Sequence, residues 1–167
     1  KLKDIPENTY YKCLERLVKD GTIIHLTKGL YSKTEKSPEQ IVDYYILQNS
    51  GIVVGERLFY EKGFISRMTE YSKILSKHLK EDKKHIGRIE VQKISIDMND
   101  NTIPVIETLE ILQNYNKVND INKNRFMAYM RKFSEHYSDD TVNYVIENRK
   151  YKKSTIAFLE RILTWYG

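Results

Sequence analysis

Residues able to make or break bonds are scarce in this sequence. Its four histidines, His25, His78, His85 and His136, show none of the HxH, HxxxH or HExxH spacings that hold a metal. Isolated histidines are more often structural or solvated. The run GIVVGERL at 51–58 lacks the G-K-[ST] ending of a phosphate loop, and no Gly-x-Ser-x-Gly elbow occurs. A metal-dependent nuclease needs acidic ligands and a lysine close together, to hold the ion and stabilise developing charge. The nearest approach is Glu90 with Lys93, followed by Asp97 and Asp100. Glu90 and Lys93 are three apart on an expected strand, so they point to opposite faces. Asp97 and Asp100 fall at a turn and read as caps. No catalytic residue, metal ligand or cofactor is expected, and a nuclease is kept as the enzymatic alternative.

The chemistry of recognition is better represented. In YYKCLERLVKDGTIIHLTKGLYS (10–32), Tyr10, Cys13, Leu14, Leu17 and Val18 recur at the three-and-four spacing of one buried helical stripe. Asn8, Lys12, Glu15, Arg16 and Lys19 fall largely on the other side. A helix fits the DNA major groove, and a hairpin beside it can set a basic tip on phosphates. Asn pairs bidentately with adenine and Arg with guanine. The candidate DNA-binding residues are therefore Asn8, Thr9, Tyr11, Lys12 and Arg16 on the helix, Lys28 on the turn and Lys33 after it. A candidate second basic surface comprises Lys73, Lys77, Lys80, Lys83, Lys84, Arg88 and Lys93, set against only Glu81, Asp82 and Glu90. Charges this dense repel unless water or a polyanion screens them.

The elements that must position these residues read as follows. A helix spans 7–20, opened by an Asp4–Glu7 capping box with Pro6 in its first turn, or by Asn8, and closed by Gly21. Strands over 22–26 and 30–32 flank a Thr27-Lys28-Gly29 turn. Ser37 caps a helix with Pro38 at its first position, running to about residue 49. A strand at 52–54 and a short helix at 56–62 follow. Strands at 71–77 and 88–96 form a second hairpin around the charged loop LKEDKKHIG. A helix over 102–115 presents Val105, Leu109 and Leu112. The C-terminal third is helical. It has Phe126, Met127, Met130 and Phe133 on one helix, Asp139 or Asp140 capping the next, and Ser154 capping the last. The four residues of the first of these could line a small-molecule pocket, but at helical spacing they read as core. The fold class is α+β: a partial N-terminal winged helix-turn-helix (1–36), then a mixed α/β domain ending in a helical bundle (37–167).

TYYKCLERLVKDGTIIHLTKGLYS resembles the winged-helix segment of the AbiEi family of type IV antitoxins, in its helix with a Leu-x-x-Leu pair, glycine, strand, basic-Gly turn and aromatic strand. GIVVGERLFYEKGFISRMTEYSKILSK, NTIPVIETLEILQNY and KSTIAFLERIL are similar in element order to the family's second domain. Phe64-Ile-Ser-Arg-Met-Thr stands where the family has a Thr-Thr-Gln-like segment. The resemblance implies a DNA-binding autorepressor acting on inverted repeats in its own promoter. It also implies an antitoxin countering a nucleotidyltransferase-type toxin without a stable complex.

Composition agrees with such a protein without specifying it. The 167 residues carry 28 Lys and Arg against 23 Asp and Glu, a net charge of +5 that tilts mildly towards polyanions. Cys13 is the single cysteine, so no internal disulfide forms, and a cytoplasmic setting is expected. No apolar run approaches the roughly 20 residues of a membrane span. The sequence opens at Lys1 rather than at Met, almost directly before a helix. The helices that precede a recognition helix are therefore expected upstream of it. Thirteen tyrosines suit half-buried surfaces, so a protein-interaction module is the remaining alternative.

Overall fold

The computed structural model describes residues 6–166. The fold is α+β, and the chain divides between Ile41 and Val42 into two compact units. That division lies inside a helix, just beyond the polar stretch where the sequence places the boundary.

The first unit begins with α1 (Glu7–Lys19). Asp4, half of the expected capping box, lies outside the described residues. Pro6 occupies the cap position itself rather than the first turn, and its carbonyl accepts from the Thr9 and Tyr10 amides at 2.9 and 3.0 Å. At the other end Gly21 adopts φ 71°. Its N–H donates to Val18 O and that of Thr22 to Leu17 O, a Schellman turn that a Cβ would disfavour. The chain is thereby turned into β1 (Ile24–Thr27) and β2 (Leu30–Ser32), an antiparallel ribbon closed by Lys28-Gly29. The expected apolar stripe exists, but α1 has no buried residue: Tyr10 is 42% exposed and Leu17 38%. Periodicity reports which face is apolar, not whether another element covers it. After the ribbon, α2 (Pro38–Ile46) starts at a reciprocal capping box, Gln40 N–H to Ser37 Oγ and Ser37 N–H to Gln40 Oε1.

The second unit is built on a four-stranded sheet. Its strands are β3 (Gly51–Val54), β4 (Ser72–Ser76), β5 (Lys83–Ile86) and β6 (Ile89–Lys93), in spatial order β3-β4-β6-β5. Two expectations are corrected here. The charged loop contains a strand, β5, and the two longer strands are not a hairpin. β4 and β6 run parallel, and the tight hairpin is β5–β6 around Gly87. The lysines of β5 obscured it, because charge depletes the usual strand signal while suiting an exposed edge.

Helices α3 (Glu56–Glu61) and α4 (Thr102–Asn114) pack on β3. α4 is the axle of the unit, touching α5 (Lys123–His136), α6 (Asp139–Asn148) and α7 (Lys153–Tyr166). It buries Ile106 and Ile111 as well as Val105, Leu109 and Leu112, since a helix surrounded on most sides is apolar on most sides. Phe64 meets Phe59, Phe126 and Tyr129 edge to face at 5.5–5.9 Å, each contact adding about 0.5–1.5 kcal/mol beyond area. Met127, expected with the core residues, is exposed. Ser138, not Asp139 or Asp140, holds the cap position of α6, and Ser154 lies inside α7. In the bundle Glu110, 1% exposed, accepts from Arg149 Nε and Nη2 at 3.1 and 2.8 Å.

Two stability predictions follow from these contacts. A Cβ on Gly51 would fall against the Tyr45 and Leu75 carbonyl oxygens, well inside van der Waals contact. In urea unfolding Gly51→Ala costs about 3 kcal/mol. Gly87→Ala, strained only by its positive φ with open space around it, costs about 1–2 kcal/mol. Arg149→Met strands the buried Glu110 carboxylate and costs about 3–5 kcal/mol. Adding Glu110→Gln recovers part of that loss in the same assay.

Candidate nucleic-acid interface

On α1, 3.6 residues per turn place Asn8, Lys12, Arg16 and Lys19 within an arc of about 80°. The apolar stripe lies opposite. Glu15 borders this basic face, Thr9 flanks its far side, and Tyr11 falls about 100° from Lys12, next to Val18. Tyr11 thus belongs with the stripe, where its ring meets that of Tyr10 edge to face at 5.8 Å. All of the helix candidates are exposed, and Lys12, Arg16 and Lys19 have no carboxylate partner among the described residues. Lys19 was missed as a recognition candidate, although its three-residue step from Arg16 marks it. Lys28 stands exposed at the ribbon's tip and Lys33 just past β2. The ribbon adds a cross-strand pair, His25 and Tyr31, with rings 4.9 Å apart. Their alternation along two short strands was the available signal.

The second basic set does not form one surface. Register places Val54, Lys73, Glu90 and His85 in one row across the sheet, and Ile52, Leu75, Gln92 and Lys83 in the next. Both rows lie on one face, running from aliphatic at β3 to charged at β5. Lys84 shares the opposite face with Val91, Ile74 and Val53, and Lys93 lies on that face too. Lys77 pairs with Asp97 at 2.5 Å, Lys84 with Glu81 at 3.5 Å, and Arg88 with Glu70. Lys93 Nζ donates to the Lys80 carbonyl at 3.5 Å, and Lys80 itself is exposed.

Glu90, 7% exposed, is the hub of the polar face. Its carboxylate meets Lys83 at 2.6 Å, Lys73 at 3.6 Å and His85 at 3.8 Å, and accepts from Tyr71 Oη and Gln92 Nε2 at 3.0 Å each. Burial alone would raise its pKa. The hydrogen bonds from Lys83 and Tyr71 and the charges of Lys73 and Lys83 outweigh that and hold it below the ordinary glutamate value. Tyr71 is pushed up by burial, then by its bond to Glu90. The exposed Asp97 carboxyl is lowered by its hydrogen bond from Lys77 and by that charge.

No protein-family model matches this chain, and no curated protein matches it in sequence.

The nuclease arrangement does not assemble. Glu90 spends its oxygens on cations and donors of its own sheet, Lys93 is on the other face, and Asp97 is tied to Lys77. Among the described residues no group of three His, Cys, Asp or Glu side chains is placed to hold a metal.

The Glu90 cluster predicts an acid-sensitive stability. Its folded pKa is depressed, so its contribution is complete above the unfolded value of about 4.3. That contribution is lost as pH falls through the lower folded value. Urea unfolding from pH 7 to pH 3 shows a steeper loss below about pH 4.3 for the native chain than for Glu90→Gln. At pH 7 the variant is less stable by about 1–3 kcal/mol, because Lys73 and Lys83 lose their acceptor.

Proposed function

We propose that this chain is a DNA-binding regulator, a transcriptional autorepressor and antitoxin resembling the AbiEi family, which meets duplex DNA through α1 and the β1–β2 ribbon. The observation that supports this reading is the division of α1. Asn8, Lys12, Arg16 and Lys19 are gathered on one exposed face, and a Schellman turn leads directly into a ribbon tipped by Lys28. A polar helix face of this width fits the major groove, with the ribbon tip on the flanking phosphates. In this reading Arg16 and Asn8 face base edges, while Lys12, Lys28 and Lys33 neutralise phosphates. It involves no catalytic step. The antitoxin half, with a nucleotidyltransferase-type toxin as functional partner, rests on the family resemblance alone.

A protein-docking module is the second reading. The uncovered stripe of Tyr10, Cys13 and Leu17 favours it, as does Trp165 at 84% exposure.

Fluorescence anisotropy of the full chain on its own upstream DNA tests the first reading. Binding weakens steeply with salt, and Lys28→Ala lowers affinity for all sequences alike and reduces the log–log salt slope by about one. Arg16→Ala costs about 1–3 kcal/mol and relaxes preference at one base position. Salt-insensitive binding, or none, refutes the DNA reading. Rescue of growth when a neighbouring nucleotidyltransferase is co-expressed tests the antitoxin half separately.

A further inference from the structure

The second unit contains a cleft of about 760 Å³ that plays no part in the DNA reading. It is walled by the end of α3, the first turns of α4, one face of α5 and the start of α6. Its size is within the roughly 300–1,000 Å³ of small-molecule sites.

The α5 wall is Tyr129, Lys132, Phe133 and His136, at positions i, i+3, i+4 and i+7. This is the spacing of a core stripe, yet it sets a lysine and an imidazole among the rings, which a core does not want. At the inner end Lys62 pairs with Glu107 at 2.6 Å and lies 5.8 Å over the Tyr129 ring. Tyr129 Oη is 3.1 Å from Thr108 Oγ1, and burial pushes its pKa up to about 12, so it stays a neutral donor. Lys62 and Glu107 therefore cancel. Lys132 has no ion-pair partner among the described residues. His136 donates its Nδ1–H to the Lys132 carbonyl at 2.8 Å, which leaves Nε2 as an acceptor for a ligand donor. Ser138 holds the cap position of α6, but its hydroxyl caps nothing. Asp100 and Asn101 supply acceptors on the α4 side.

We infer that this cleft binds a small nucleotide-like anion: a planar ring carrying hydrogen-bond donors at one end and a single phosphate or carboxylate at the other. The ring packs against Tyr129, Phe133 and Tyr137 and offers its donors to Asp100 and Asn101. The anionic group meets Lys132 and the Ser138 and Thr141 hydroxyls, while His136 Nε2 faces the ligand as an acceptor. Aromatic walls supply apolar contact area, and the charge-assisted bonds fix orientation. A bare anion would gain only the latter.

Calorimetry of the full chain tests this with adenosine and cytidine 5′-monophosphates as phosphate probes and 4-aminobenzoate as the carboxylate probe. Ribose 5-phosphate and inorganic phosphate serve as controls without a planar ring. At least one anion with a planar ring binds with Kd below about 1 mM, and the controls bind at least tenfold more weakly. Which probe class binds decides between phosphate and carboxylate. Lys132→Ala, at an exposed position, weakens binding about tenfold. Thr141→Trp, which fills the cleft, abolishes it. Absence of binding by every ring-bearing probe overturns the inference, as does equal binding of inorganic phosphate. Unchanged affinity in Lys132→Ala also overturns it, and this variant decides the matter if Thr141→Trp fails to fold.

Discussion

The second unit depends on β6 lying between β4 and β5. The chain leaves β4, passes the place β6 will take, forms the edge strand β5, and turns back at Gly87 to fill the gap. That insertion satisfies the β6 backbone on both sides and buries Ile89, Glu90 and Val91. Val91 is fully buried on one face, and Glu90, on the other, is only 7% exposed. A carboxylate in such a place must be paired, and its cross-strand neighbour Lys73, with Lys83 one row away, provides the pairing. The same constraint acts at the opposite edge. Gly51 of β3 lies against the Tyr45 and Leu75 carbonyls, where only a residue without a side chain allows the approach.

The first unit obeys a different constraint. It has no core of its own in α1, and a 13-residue helix is marginal in isolation. What defines it is local: the Pro6 carbonyl at one end, the Gly21 turn at the other, and a ribbon held by a two-residue connection. These devices fix the direction in which the helix presents its two faces without requiring that either be buried. An element built this way suits recognition, since its surface is available and its geometry is set by backbone hydrogen bonds rather than by packing.

Local signals were legible in the sequence, and pairings between distant segments were not. Gly21, Ser37 with Pro38, and the Lys28-Gly29 turn announce their elements through backbone chemistry that acts within a few residues. α4 was recognised by its period, but its burial on several sides depends on α5, α6 and α7, which no local window contains. The parallel β4–β6 pairing was invisible for the same reason. A hairpin is the default for sequential strands, and only the burial of Glu90 and Val91 together signals a central strand. β5 was hidden by Lys83, Lys84 and His85, whose charges suit an edge strand but read as a loop. The cleft residues illustrate the point again. Lys62 follows α3 while Glu107 and Lys132 lie on α4 and α5, and the stripe Phe126, Met130 and Phe133 on α5 drew attention to the core side of the helix that also carries Tyr129 and His136.

Counting charges along a sequence therefore misleads about where a polyanion would bind. In the densest run of lysines, 73–93, most cations are paired in three dimensions. Glu90, Asp97, Glu81 and Glu70 each answer one or two of its cations, and the sheet sets Lys73 and Lys83 on one face and Lys84 and Lys93 on the other. The sparser set on α1 is the more effective one. Lys12, Arg16 and Lys19 share one side of a helix, with Glu15 at its border and no carboxylate partner among the described residues. Field strength at a surface follows from how many unanswered charges share a face, and screening over about 10 Å removes contributions from charges placed elsewhere. By that measure the helix face gathers three cations without a carboxylate partner among the described residues, although the sheet holds more of the basic residues.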